Sequence, residues 1–172
     1  LDVLASGGPV ADLVPEFAFP VPFSVICELL GLPDQDREIF RQLGSERFDV
    51  RHGGLGTFGA ASRSREFLLE ATRRQRAQPG DGLIGDIIRD HGDEVSDLEL
   101  AGLADGVFTG GLETSASMLA LGTALLLEHP EDYRALVERP ESVEPTVEEL
   151  LRYLSVVQVA FPRFARRDWC SV

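Results

Sequence analysis

Residues 96–130 read SDLELAGLADGVFTGGLETSASMLALGTALLLEHP. Apolar side chains recur along this stretch every three or four positions, which is the spacing of an α-helix. Ser96 followed by Glu99 has the form of a capping box and predicts where the helix begins. Pro130 predicts its end, because proline clashes with a continuing helical ladder. Further apolar residues lie on the opposite side, so the sequence predicts one long helix in the interior of a sizeable protein.

Residues 110–115, GGLETS, interrupt the middle of this predicted helix. Each glycine costs a helix about 1 kcal/mol relative to alanine, and a carboxylate in apolar surroundings is costly unless it is paired or used. The missing side chains let another group approach the backbone or let the helix open locally, and the Thr114 hydroxyl can donate to the Gly110 carbonyl. Two interpretations stay open: a groove that handles a small molecule or protons, or a tight helix crossing with Glu113 paired to an arginine.

A second pattern lies near the end of the chain. Glu149 and Arg152 stand three apart in a helix predicted to begin near Thr146, which by itself is typical of a common surface ion pair. The β-branched and aromatic run 153–161, YLSVVQVAF, predicts a strand directly after that helix. Arg163 follows the run and can bind a carboxylate with two hydrogen bonds.

The rest of the chain predicts further helices and therefore a mainly α fold. Helical spacing and capping residues place them over 22–30, 34–41, 60–78, 81–91 and 130–137, with a connector over 12–19 and a glycine-rich loop over 44–59. Gly31 is expected to cap the first of these helices. We find no repeat or low-complexity tract, and we expect residues 1–172 to form part of a single domain.

Composition narrows the class of protein. The chain carries 16 Lys and Arg against 29 Asp and Glu, a net charge of −13. This charge argues against nucleic acid and anionic membrane as partners. Cys27 and Cys170 give no disulfide framework and suit a reducing compartment, so we expect a cytoplasmic protein. The three histidines lack the spacing of metal ligands, and we expect no metal-binding residues in this sequence.

Taken in order, these motifs resemble the cytochrome P450 superfamily in its soluble bacterial form. The resemblance rests on GGLET at 110–114 in a long central helix, on Glu149-x-x-Arg152, and on Pro162-Arg163-x-Ala165 before Asp168. Upstream, the family is also similar in DLV at 12–14, FA at 17–18, VICELLGLP at 25–33, Asp36 and PGDGLI at 79–84. The match extends over nearly all 172 residues. It implies part of the P450 fold, with a short β segment near the C-terminus, and haem as the cofactor.

The resemblance also implies that the chain is an internal fragment. In the family, the haem iron is held by a cysteine thiolate in a Phe- and Gly-rich loop, well beyond the position of Arg163. Cys170 has no such setting, since its neighbours are Trp169, Ser171 and Val172. We therefore expect the iron ligand to lie outside this chain, and the fragment alone to be inactive.

Roles for individual residues follow from the resemblance. Thr114 would hydrogen-bond dioxygen and its waters, Glu113 would relay protons from solvent, and Gly110 and Gly111 would flank the haem. Arg163 would pair with a haem propionate. Glu149 and Arg152 would have a structural role and should be buried together with further polar partners. The implied substrate pocket is lined by Phe108, Leu112, Val157, Val159 and Phe161.

The function expected for the parent protein is that of a haem-thiolate monooxygenase. It would activate dioxygen to hydroxylate or epoxidise a small hydrophobic organic substrate, with electrons from a ferredoxin-type donor. One alternative is a catalytically inactive, truncated helical fragment that acts as a scaffold. Another is an unrelated all-α enzyme or ligand carrier, which would need a cluster of metal ligands that the sequence lacks.

Overall fold

The computed structural model describes residue 8 and the ranges 10–49 and 57–158. This part of the chain is helical nearly throughout, as the sequence predicts. After a π-helical turn at Val14–Ala18, the α-helices are α1 (Pro20–Leu30), α2 (Asp34–Phe48), α3 (Thr57–Ala77), α4 (Leu83–His91), α5 (Asp97–Glu128), α6 (Pro130–Glu138) and α7 (Val143–Leu154). Short 3-10 turns at Gly92–Glu94 and Pro140–Ser142 precede α5 and α7.

The long helix α5 begins and ends where the sequence predicts. The Ser96 hydroxyl accepts a hydrogen bond from the Glu99 backbone N–H at 3.3 Å, and the Glu99 carboxylate accepts one from the Ser96 backbone N–H at 3.0 Å, so the capping box is confirmed. By length and composition alone, α5 is apolar enough to cross a membrane. Its first half supplies the fully buried side chains of Phe108 and Leu112 to a protein core.

The chain divides into two compact units, Leu1–Ala120 and Leu121–Val172, and the division falls inside α5. In the first unit, the core lies between α1, α2, α3, α4 and the first part of α5. Phe40 of α2 is at its centre: its ring centroid lies 4.4 Å from that of Phe108 and 5.0 Å from that of Phe67. Aromatic pairs at such distances stabilise a core beyond the area that they bury.

The second unit contains the end of α5, together with α6 and α7. A side chain at Gly122 would lie 3.5 Å from Leu150, so α7 packs close to this end of α5. The described helices of this unit keep several apolar side chains exposed, among them Val137, Val147 and Leu151. That all residues form part of a single domain stays a prediction.

Helix α2 is longer than the sequence suggested. It runs through Gly44, which was expected to open a loop, and ends at Phe48. The reason lies in the packing: Gly44 is buried, and a Cβ there would lie 3.0 Å from the Phe108 ring. This glycine is needed for the close approach of an aromatic side chain, and it does not end the helix. Residues 50–56 of the expected loop lie outside the described residues.

The expected strand over 153–161 is not seen. Tyr153 and Leu154 complete α7, which begins at Val143, earlier than expected, with Pro145 in its first turn. Pro145 is tolerated there because the first N–H groups of a helix need no partner within it. Residues 155–158 have no regular secondary structure, and the remaining residues of the expected strand lie outside the described part. At the start of the chain, Gly31 has φ 72° and caps α1, as predicted.

Candidate functional site

The GGLETS segment lies in the middle of α5, and the helix is α-helical throughout it. The Thr114 hydroxyl donates to the carbonyl oxygen of Gly110 at 2.6 Å, the hydrogen bond that the sequence suggested. Such a bond slightly weakens the helical ladder without breaking it. The segment therefore keeps its two glycines and its polar pair inside a regular helix, and the local opening considered from the sequence is not observed.

The two adjacent glycines have different surroundings. A Cβ at Gly111 would lie 3.2 Å from Cδ1 of Ile26 in α1, which is tighter than most real contacts. A Cβ at Gly110 would meet no atom within 4 Å, and the same is true of Gly106, one turn earlier. Gly111 therefore allows α1 and α5 to cross closely, whereas Gly110 leaves free space beside the backbone.

Glu113 and Thr114 lie within one turn of Gly110 on the same side of α5, because residues three and four apart share a helix face. We call the surface formed by Gly106, Gly110, Glu113 and Thr114 the open face. Glu113 is exposed, yet desolvation by the surrounding protein raises the pKa of its carboxyl. Within the described ranges it pairs with no arginine. The interpretation in which Glu113 is paired at a helix crossing thus finds no support in this part of the chain.

A buried ion cluster lies two turns before Glu113. Asp105 is 6% exposed, and its carboxylate accepts hydrogen bonds from Arg47 of α2 and, at 3.0 Å, from Nε of Arg65 in α3. Burial raises the pKa of Asp105, but the hydrogen bonds from Arg47 and Arg65 together outweigh it, and the pKa lies below its ordinary value. Sequence reasoning missed this cluster. The signal was available, because an acid on the core side of an apolar helix needs a partner.

The residues expected to line a substrate pocket fall in different places. Phe108 and Leu112 are fully buried in the core of the first unit, on the side of α5 opposite the open face. Val157 is 58% exposed. Val159 and Phe161 lie outside the described residues, as does Arg163. The pocket role of these five residues and the propionate role of Arg163 stay predictions.

Glu149 and Arg152 form the expected ion pair on α7. The guanidinium donates to both carboxylate oxygens, at 2.7 Å from Nε and 2.6 Å from Nη2. These hydrogen bonds lower the pKa of Glu149 and raise that of Arg152. The side chains are 61% and 70% exposed, so the expectation of a buried pair was wrong. Among the described residues, no third charged or polar side chain joins the pair.

The second unit also contains an open cavity of about 610 Å³ next to this pair, lined by residues of α6, α7 and the end of α5 that include His129 and Asp132. The ligand atoms of His129, Glu131 and Asp132 lie within 4.8 Å of one another at the start of α6. All three are exposed, and exposed acidic groups are common without a metal ion. We do not count this cluster as a metal site.

Comparisons with known proteins decide the family. A scan against protein-family models found no match. Cytochrome P450 165C4 of Amycolatopsis orientalis is 43% identical over 168 residues, which are 98% of this chain and 41% of the relative. The solved structure of the Orf6* (CYP165D3) monooxygenase involved in teicoplanin biosynthesis matches with a TM-score of 0.83 and 35% identity, over 98% of this chain and 47% of that one.

The chain belongs to the cytochrome P450 superfamily. Another solved P450, OxyC, implicated in an oxidative C–C coupling reaction during vancomycin biosynthesis, matches with a TM-score of 0.82 and 40% identity, over 99% of this chain and 43% of that one. This chain spans about two fifths of the length of the curated relatives that it matches. The observed helices are thus part of the P450 fold, as the sequence motifs indicated.

Haem is the cofactor of this family, and the open face fits it. A flat group can approach the α5 backbone there, because no Cβ at Gly106 or Gly110 stands in its way. The described part of the chain offers no thiolate for the iron: Cys27 is a buried thiol, and burial raises its pKa to about 11.

Proposed function

We propose that the full-length protein carrying this chain is a haem-thiolate monooxygenase that uses dioxygen to oxidise a small hydrophobic organic substrate. The observation that carries the proposal is the open face of α5, where free space at Gly110 lies within one turn of a hydroxyl and a carboxyl. The bound haem would supply the iron chemistry that activates dioxygen. The side chains of this protein would position it and control access of protons.

The two glycines would serve the cofactor in different ways. Gly110 would leave room on the distal side of the haem, since its missing Cβ faces open space. Gly111 would set the distance of α5 from α1 through its contact with Ile26. Arg163 would hold a haem propionate, and the Glu149–Arg152 pair would have a structural role. The cysteine ligand of the iron would come from outside this chain.

Thr114 would hold dioxygen or a water molecule by hydrogen bonds. Its hydroxyl now donates to the Gly110 carbonyl, so the oxygen keeps its lone pairs for an incoming donor. Rotation about the C–O bond would let the same hydroxyl donate to the bound dioxygen or water instead of to the Gly110 carbonyl. Glu113 would carry protons from solvent to this point. Its raised pKa brings the carboxyl closer to neutral pH, which suits a group that both takes up and releases protons.

Similarity to other P450s supports the proposals for the substrate and the partners. We propose hydroxylation or epoxidation of an organic substrate, with a ferredoxin-type electron donor in the cytoplasm. The substrate pocket would be lined by Phe108, Leu112, Val157, Val159 and Phe161, as the family resemblance implies. Because the similar P450 OxyC is implicated in an oxidative C–C coupling reaction, oxidative C–C coupling is a second reaction class to assay.

The roles of Thr114 and Glu113 can be separated in the full-length protein. With a ferredoxin-type donor, Thr114→Ala should still consume reductant and dioxygen but release more hydrogen peroxide and form less product. Glu113→Gln should slow turnover, because it removes the ionisable group while nearly preserving shape. Thr146→Ala is the matched control: Thr146 makes the same kind of bond, to the Ser142 carbonyl at 2.7 Å, on a different helix, α7. It should leave coupling unchanged.

Equal and small effects of all three substitutions would mean that the open face has no part in catalysis. The reduced carbon-monoxide difference spectrum of the full-length protein tests the proposal as a whole. A thiolate-type signal is expected from the intact protein and not from the 172-residue chain alone. Absence of the signal from the intact, haem-reconstituted protein would favour the inactive scaffold.

A further inference from the structure

A cavity of about 390 Å³ lies in the first unit, between the end of α1, the first turn of α2, the end of α3 and the connection that leads to α4. Its lining includes Gly31, Asp36, Arg74, Gln75 and Gly80. No residue of the open face lines it. The cavity is therefore separate from the site proposed for oxidation.

Gln75 forms part of the cavity wall and is only 8% exposed. Its side-chain nitrogen Nε2 donates to the carbonyl oxygens of Leu30 at 3.2 Å and of Gly31 at 3.1 Å. Gln75 thus satisfies carbonyl groups at the end of α1, where the helix itself supplies no partner. The two bonds also fix the orientation of the amide, because the reverse orientation would place Oε1 against two other acceptors.

The oxygen of the same amide lacks a donor. Within the described ranges, Oε1 of Gln75 is buried and accepts no hydrogen bond. A buried acceptor without a donor is costly, and in native proteins such atoms are met by a protein donor or by ordered water. A Cβ at Gly80 would lie 4.0 Å from Oε1, with no nearer atom from elsewhere in the described structure. No side chain therefore fills the space between Gly80 and this oxygen.

The backbone around Gln75 is too tightly packed to bring in a further side chain. A Cβ at Gly31 would overlap the carbonyl oxygen of Asp81, and a Cβ at Gly82 would lie 2.6 Å from the Gly31 nitrogen. The end of α1 and the residues before α4 therefore meet backbone to backbone. A donor for Oε1 has to be small and has to come from the cavity.

The charges around the cavity indicate that this donor is neutral. Asp36 and Arg74 form an ion pair at 2.6 Å and so neutralise each other. An anion would be repelled by Asp34 and Asp36 in the first turn of α2. A cation would be repelled by Arg74 and by the positive end of the α2 dipole.

We propose that the cavity binds a water molecule that donates a hydrogen bond to Oε1 of Gln75 and lies beside Gly80. A bound water needs further polar partners. The carboxylate of Asp36 and the side-chain amides of Gln35 and Gln78 also line the cavity and can supply them. This water would complete the hydrogen bonds of Gln75 and so hold the end of α1, the end of α3 and the connection before α4 together.

A crystal structure of the full-length protein tests this site, at a resolution that shows ordered water and from crystals grown and cooled without polyols. A water peak is expected about 2.5–3.0 Å from Oε1 of Gln75. Gly80→Ala should move or remove this water, because a methyl group 4.0 Å from Oε1 leaves no room for a water between them. The bonds from Gln75 to Leu30 and Gly31 should remain. The matched control is Gly106→Ala, which adds the same methyl group in open space on α5 and should leave the peak in place.

Three results would overturn the proposal. The first is no peak within hydrogen-bonding distance of Oε1 in the parent protein, and the second is a protein donor in its place. The third is an unchanged peak in Gly80→Ala, which would mean that the water does not lie beside Gly80. In solution, oxygen-17 relaxation dispersion counts long-lived internal waters: Gly80→Ala should lose one relative to the parent and to Gly106→Ala, and equal counts in all three proteins would contradict the site.

Discussion

Alanine substitutions in α5 would test whether the two glycines of the GGLETS segment differ as the structure indicates. Replacing an exposed glycine inside a helix by alanine stabilises it by about 1 kcal/mol, since glycine loses more backbone freedom on folding. At Gly110 nothing opposes this gain, because the new Cβ meets no atom within 4 Å. We therefore expect Gly110→Ala to raise the free energy of unfolding of the haem-free protein by about 1 kcal/mol.

At Gly111 the same gain meets a contact. The new Cβ would lie 3.2 Å from Cδ1 and 3.5 Å from Cγ1 of Ile26, which is itself buried in the core. Overpacking of a core costs about 1–3 kcal/mol. The cost exceeds or cancels the helical gain, so Gly111→Ala should be between neutral and about 2 kcal/mol less stable than the parent.

The assay is equilibrium urea unfolding of the haem-free, full-length protein, with Gly106→Ala as the control. Gly106 also faces open space, so its alanine variant should match Gly110→Ala. Carbon-monoxide affinity of the haem-loaded protein then separates function from stability: Gly110→Ala should lower it, because the methyl group enters the space proposed for the distal ligand. Equal destabilisation by Gly110→Ala and Gly111→Ala would refute the distinction between the two glycines.

Two predictions concern pH. The pKa of Asp105 is lowered in the fold, so its contribution to stability is present above the ordinary carboxyl pKa of about 4 and is lost as pH falls through the folded pKa. Urea titrations should therefore show the deficit of Asp105→Asn shrinking below that pH, and a constant deficit would contradict the assignment. The pKa of Glu113 is raised, so its ionised form is disfavoured in the fold; Glu113→Gln should be slightly more stable at neutral pH and lose this advantage in acid. A loss of stability at neutral pH would indicate an ionic partner for Glu113.

The long helix and its caps could be predicted from sequence because their causes are local. The Ser96–Glu99 box and Pro130 set the ends of α5 within a few residues, and both act on neighbouring backbone. Gly44 shows where such reasoning fails. A glycine in a polar stretch looks like the start of a loop, but here it lies inside α2, because the Phe108 ring of a distant helix packs against it.

The two ion pairs also show what sequence spacing cannot predict: the exposure of one pair and the existence of the other. Glu149 and Arg152 were easy to find, since they stand one turn apart on one helix, but their exposure depends on what surrounds α7 and could not be derived from spacing. Arg47 and Asp105 are far apart in sequence, and no local pattern joins them. Their pairing can be predicted only when the positions of α2, α3 and α5 relative to one another are known. The pairing sets the environment of Asp105 on α5.

The two carboxylates on α5 illustrate how position sets chemistry. Asp105 and Glu113 lie two turns apart along the same line of the helix, with Thr109 between them. Asp105 is turned toward α2 and α3, where hydrogen bonds from two arginines lower its pKa and favour the ionised form, so it is suited to fixing helices. For Glu113, desolvation is the cause of the pKa shift, and it raises the pKa. Of the two acids, Glu113 is therefore the one that we propose as the proton relay, while Asp105 holds neighbouring helices together.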